Sequence, residues 1–274
     1  GKPKLNFVGS VKYSDGLSVL VKALNNLILK EVKLKNKADT TLPILIDFFE
    51  NLGIFISISN SYNGHYLSAV SVGEVRGFAI SDKIAPFIFI NSKDAKNGQL
   101  FTLIHEFCHI LLGETGISDI SRESKNPIEV LCNKATAEFL MPTNKFMEEL
   151  NNIKSNEISD IVYILTQKFP VSEFAILIKL FNINYITSEV FETMYNQCKS
   201  DFEEYAKLNS VNAGKKKFSN PYLKKLKMNG KHLINVAWEA YSAGDVVLRS
   251  FSSILGVGNI NKLDTYLEKW RKYL

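Results

Sequence analysis

The chain has 274 residues, 46% of them hydrophobic and 22% charged, and a net charge of +5. These values belong to an ordinary globular protein with one large core or two modest ones, and they exclude disordered and collagen-like chains. No run approaches the ~18 apolar residues of a membrane span. Three cysteines (Cys108, Cys132 and Cys198) without C-x-x-C spacing exclude a disulfide framework, so a cytoplasmic protein with no membrane association is expected.

The sequence opens Gly1-Lys2-Pro3 without Met, so a segment upstream is expected. Residues Leu5–Ser14 read as an irregular lead-in. Leu17–Val32 reads as a helix with Leu20, Leu24, Leu27 and Ile28 on one face, and Leu42–Leu52 as a shorter helix ending at Gly53. Ile54–Ser59 alternates like a strand, and Gly77–Ser81 and Pro86–Asn91 are two more strand candidates. Gln99–Leu112 is apolar nearly all round, the mark of a buried helix, and Gly113 supplies its stop. After the polar stretch Glu114–Asn126, a helix over Pro127–Leu140 starts on its proline and ends at Met141-Pro142. The rest is helical: Thr143–Asn152, Asp160–Phe169, Ser172–Phe181, Ser188–Asp201, Leu233–Ala243, Leu248–Leu255 and Lys262–Trp270. The fold class expected is α+β, a small sheet with helices followed by a mostly helical C-terminal part. The division expected is 1–150, 151–210 and 211–274.

Charge is unevenly placed. Residues 201–274 carry 13 basic side chains against 7 acidic ones, and Gly214–Lys231 holds seven lysines and no acid. That stretch reads as a linker or loop.

The buried helix contains His105-Glu106-Phe107-Cys108-His109, an H-E-x-x-H motif, and holds two of only four histidines. Residues four apart share one helical face, so both imidazoles can grip one metal ion. Glu106 points to the flank of that face, where it can take a proton from a water on the metal. Core histidines bonded to backbone are the plain alternative, but three polar side chains on one buried helix are costly unless satisfied.

Catalytic zinc sites usually take three protein ligands. The third histidine of metzincins is absent, because Thr115 stands there. Glu114, Asp119, Glu123, Glu129 and Glu138 are the carboxylate candidates. Glu129 stands out because Ile128, Val130 and Leu131 suggest burial, and a buried carboxylate wants a cation. Asn133, one turn on, is a candidate to orient a ligand. Cys132 is either a thiolate ligand or a small buried hydrophobe.

Phe101–Leu112 followed by Glu129–Pro142 resembles the ImmA/IrrE family of bacterial metallopeptidases, whose pattern is roughly F-T-x-A-H-E-x-x-H-x-x-L and then E-x-x-A-N-x-F-A-A-x-L-L-M-P. Ile104, Cys132 and Ala135 depart from it, and none is a proposed ligand. Phe78–Asn91 and Leu5–Ser10 extend the likeness more weakly. The resemblance implies a zincin-like domain with His105, His109 and Glu129 as Zn2+ ligands and Glu106 as the catalytic acid/base. It also implies a transcriptional repressor with a helix-turn-helix as the protein substrate, cut to release stress, mobile-element or defence genes. Substrate is expected to add to an exposed edge strand, with Pro86–Asn91 the candidate.

Two other classes compete. A DNA-binding regulator with a structural or inactive zinc site is suggested by the helix-turn-helix cadence of Phe169–Ile183 and Val247–Val257. The first offers only Lys179 to a base edge and reads as packing. Lys215, Lys216, Lys217, Lys224, Lys225 and Lys227, with Phe218 and Tyr222 interleaved, are the candidate nucleic-acid contacts. An adaptor that recognises a partner without cutting is the third reading, and it predicts no zinc.

Overall fold

The computed structural model describes residues 3–59, 71–117, 125–212 and 220–271, the side chains of 201–212 excepted. Helix α1 (Gly16–Leu24) runs into a π turn (Asn25–Leu29), and α2 (Ala38–Asn51) follows. Strands β1 (Phe55–Ser59), β2 (Gly77–Ile80) and β3 (Phe87–Asn91) precede α3 (Lys96–Leu112). The two-residue β4 (Gly116–Ile117) leads to α4 (Pro127–Leu140), α5 (Thr143–Asn151), α6 (Ile158–Thr166), α7 (Glu173–Asn182) and α8 (Ser188–Asn212). Helices α9 (Pro221–Ser242), α10 (Leu248–Ile254) and α11 (Leu263–Trp270) close the chain. This is the expected α+β class.

The sheet order is β1-β3-β2-β4, with β1 parallel to β3 and β2 antiparallel to both β3 and β4. Pro86–Asn91 is therefore an interior strand, which corrects the expectation that it forms the edge. Alternation decides the faces. Ile56, Ala79, Ile88 and Ile90 are buried, whereas Phe55, Phe78, Phe87 and Phe89 are half-buried, with Phe78 stacked on Phe89 at 5.1 Å.

Helix α3 starts at Lys96, before the expected Gln99, and from Gln99 to Leu111 every residue but the half-buried Phe101 is buried. Gly113 ends it in the left-handed region at φ 78. The irregular N-terminal segment caps it from outside, because Gly9 and Val11 donate their N–H groups to the carbonyls of Ile110 and Leu111, each at 3.0 Å. The Leu111 carbonyl lacks a partner within the helix, while that of Ile110 also accepts the Gly113 N–H at 3.1 Å, so the lead-in satisfies the first, adds to the second and pins the C-terminal end of α3.

One hydrophobic cluster runs from Val8 to Phe191, so α6, α7 and the start of α8 share the core of the sheet and α3. A second cluster, from Ile234 to Trp270, belongs to the C-terminal helices. The lysine-rich stretch is not all linker. Asn220 accepts the N–H of Tyr222 at 3.0 Å and Pro221 takes the first helical position, a start signal that places Lys224, Lys225 and Lys227 on α9. Residues 213–219, with Lys215, Lys216, Lys217 and Phe218, lie outside the described residues.

Helix α9 is interrupted at Gly230, whose φ of 72 and ψ of 158 suit glycine alone. The break lets the chain press against β1, where a side chain at 230 would meet the Ile56 carbonyl and Glu50 Oε1. Glu50 accepts the N–H of His232 at 3.1 Å and so caps the restarted helix. Lys231 pairs with Asp47 at 2.9 Å, and the His232 ring lies 4.5 Å from Phe55. The β1 edge is thus covered by the C-terminal unit. Among the described residues no helix is long and apolar enough to cross a membrane.

Candidate metal centre

Helix α3 packs along α4, and the crossing brings three side chains together. His105 Nε2 lies 3.1 Å from His109 Nε2 and 3.1 Å from Glu129 Oε2, while His109 Nε2 lies 3.2 Å from Glu129 Oε1. All three residues are buried, and among the described residues they form the one such group with ligand atoms within 4.8 Å of one another. Donors about 2.0–2.1 Å from a tetrahedral ion lie roughly 3.3 Å apart, so the observed spacing fits a single zinc-sized ion.

The electrostatics agree with that donor set. Burial pushes the His105 ring below its ordinary value, outweighing Glu129, and leaves a neutral imidazole with a free lone pair. Burial raises the Glu129 carboxyl, but hydrogen bonds with His105 and His109 outweigh it and hold Glu129 at about 2. Glu129 is therefore a carboxylate. A neutral His105 brings no positive charge to such a buried carboxylate, and a divalent cation would supply it.

Asn133 lies one turn beyond Glu129 on α4. His105 Nδ1 and Asn133 Oδ1 are both buried without a hydrogen-bond partner, and the nearby Asn133 side chain partly offsets the effect of burial on the His105 ring. The two atoms are complementary, since an imidazole that offers Nε2 to a metal carries its proton on Nδ1. Glu106 is fully buried on the flank of α3, with its Oε1 beside Gly77 of β2.

Cys132 does not join the cluster. Its thiol is in contact with that of Cys108, and this contact and burial push it up, away from the thiolate a metal needs. Glu114 is exposed, and Asp119 and Glu123 lie outside the described residues. Glu138 is taken by Lys179 at 2.8 Å and by the N–H of Thr143 at 2.8 Å. That pairing also removes Lys179 from the helix-turn-helix-like segment as a base reader. Lys225 lies 5.5 Å over the Tyr266 ring, Lys269 lies 4.5 Å over Tyr222, and Lys227 is exposed. Gly77 was missed as a neighbour of Glu106. A lone glycine in a strand, which often marks a close approach, was the available signal.

Two histidines a turn apart, a carboxylate from a second helix and a further glutamate beside them define the site of an HExxH metallopeptidase domain. Residues 51–181 match the family of peptidases described as IrrE N-terminal-like domain. This span holds all four residues, so the chain carries a metallopeptidase domain of that family. No curated protein matches the chain.

Proposed function

We propose that the chain is a zinc-dependent, site-specific endopeptidase of the cytoplasm. Its substrate is a protein, a helix-turn-helix transcriptional repressor, and its cleavage releases stress, mobile-element or defence genes. The observation that carries this reading is the convergence of His105, His109 and Glu129, with Glu106 beside them but outside the cluster. His105, His109 and Glu129 hold the ion, and Asn133 fixes the His105 ring. When bound, zinc supplies Lewis acidity, making water a nucleophile near pH 7 and polarising the peptide carbonyl. Glu106 accepts the proton of the attacking water and delivers it to the nitrogen of the leaving amine.

The DNA-binding alternative has less support, because Lys179 is bound to Glu138, and Lys225 and Lys269 lie over rings of their own helical unit. Co-expression with repressors encoded beside the gene tests the proposal. Wild type should yield a discrete product, and Glu106→Gln should retain zinc and cleave about 100-fold or more slowly, leaving only a residual trace. A fully active Glu106→Gln variant removes the mechanism.

A further inference from the structure

We propose that Gly77 is a positioning residue for Glu106. The inference rests on the reading of Glu106 as the acid/base. Gly77 begins β2, and its φ is not among the positive values that demand glycine, so backbone conformation does not explain it. Space does. A β-carbon at 77 would lie 2.8 Å from the Phe89 carbonyl oxygen and 3.1 Å from Glu106 Oε1, and closer still to Thr102 Cγ2. Thr102 precedes Glu106 by one turn on the same face of α3, so both side chains lie in the slot left by the missing side chain.

Glycine weakens a strand interior. Here it lets the β2 backbone form a wall along the Glu106 carboxylate, restricting a side chain with three free torsions. None of the ligands His105, His109 and Glu129 is among the three atoms nearest an added carbon. The expected consequence of filling the slot is a displaced base with the ligand set intact. Displacement by about 1 Å costs on the order of 100-fold in rate, so a shift of a few tenths of an ångström should cost roughly tenfold.

A double-mutant cycle separates positioning from packing. Gly77→Ala is made in the wild-type and Glu106→Gln backgrounds. Cleavage is read on a pool of quenched-fluorescent peptides, and cobalt(II) replaces zinc so that its visible spectrum reports the ligands. Gly77→Ala alone should lower kcat about tenfold or more with little change in KM or in the cobalt spectrum. In the Glu106→Gln background it should cost nothing further. The same fold-loss in both backgrounds, or an altered cobalt spectrum, overturns the proposal. Should Gly77→Ala fold poorly, Gly77→Ala/Thr102→Ser removes the worst overlap and should regain the melting temperature but not kcat. Recovery of both together, or a double variant that stays unfolded, assigns the glycine to packing and overturns the proposal. Full activity of Glu106→Gln by itself refutes the role of Glu106, whatever Gly77→Ala does.

Discussion

Replacing Gly230 with alanine should detach the C-terminal unit from the sheet without disturbing the metal cluster. The residue sits at φ 72 and ψ 158, a region that costs other residues about 1–3 kcal/mol. The added carbon would also press on the Ile56 carbonyl and come within 2.5 Å of Glu50 Oε1. Moving Glu50 strips the His232 N–H of its acceptor at the point where the helix restarts, a further ~1–3 kcal/mol for a group removed from water. The two effects share Glu50 and are not additive, so about 3 kcal/mol is the reasoned total. Against a typical domain stability of ~5–15 kcal/mol this is a large loss. Fluorescence isolates it, because the chain has two tryptophans and both, Trp238 and Trp270, lie in the C-terminal unit. In urea, the Gly230→Ala fluorescence transition should move to lower denaturant and separate from the far-UV dichroism of the whole chain. Zinc binding in the absence of urea should be unchanged. A fluorescence transition shifted by less than about 0.5 kcal/mol, or one that carries the dichroism with it, refutes this account of the contact; the threshold reflects ordinary surface substitutions.

Asn133→Ala should weaken zinc binding by roughly 10–100-fold in competition with a chromogenic chelator, the usual effect of losing a partner of a metal-bound imidazole. An unchanged affinity would show that Asn133 only fills space. Glu138→Gln should lower the melting temperature at neutral pH and lose that effect in acid. Burial raises the Glu138 carboxyl, but hydrogen bonds from Lys179 and Thr143 outweigh it and hold it below its ordinary 4.5. A depressed carboxylate contributes fully above its unfolded value and loses its contribution as pH falls through the folded one. Wild type and Glu138→Gln should therefore melt together at low pH, and a gap that persists or widens there contradicts the pairing. The effect should be modest, since Glu138 is about a third exposed.

The features legible in the sequence were those written by local spacing. His105 and His109 are one turn apart on any helix, and Pro127 and Gly113 mark helix ends by their own backbone chemistry. Glu129 stood out among five carboxylates by its apolar neighbours and by the family resemblance, but its arrival at His105 depends on how α3 crosses α4. The interior place of β3 was not legible. Pairing order is a long-range property, and a strand of alternating Phe and Ile reads alike at an edge or in the middle. Lysine count hid the start of α9, where Asn220 and Pro221 gave a capping signal that composition overrode. The break at Gly230 was equally hidden, since a glycine in a helical pattern shows its purpose only when β1 and Glu50 are beside it.

The position of Glu106 bears on whether the cluster is catalytic or structural. A structural zinc site closes its tetrahedron with four protein ligands, whereas a catalytic one keeps a position open. The described residues supply three donors from two helices. Glu106 and Cys132 are the near candidates to close the fourth position, and neither belongs to the cluster. Cys132 is turned to Cys108, and Glu106 lies against the backbone of β2 at Gly77. On the proposed reading, a carboxylate that lies beside three ligands and outside their cluster is the group that handles the proton. The same glycine makes room for Glu106, and filling its slot should affect chemistry before it affects metal binding.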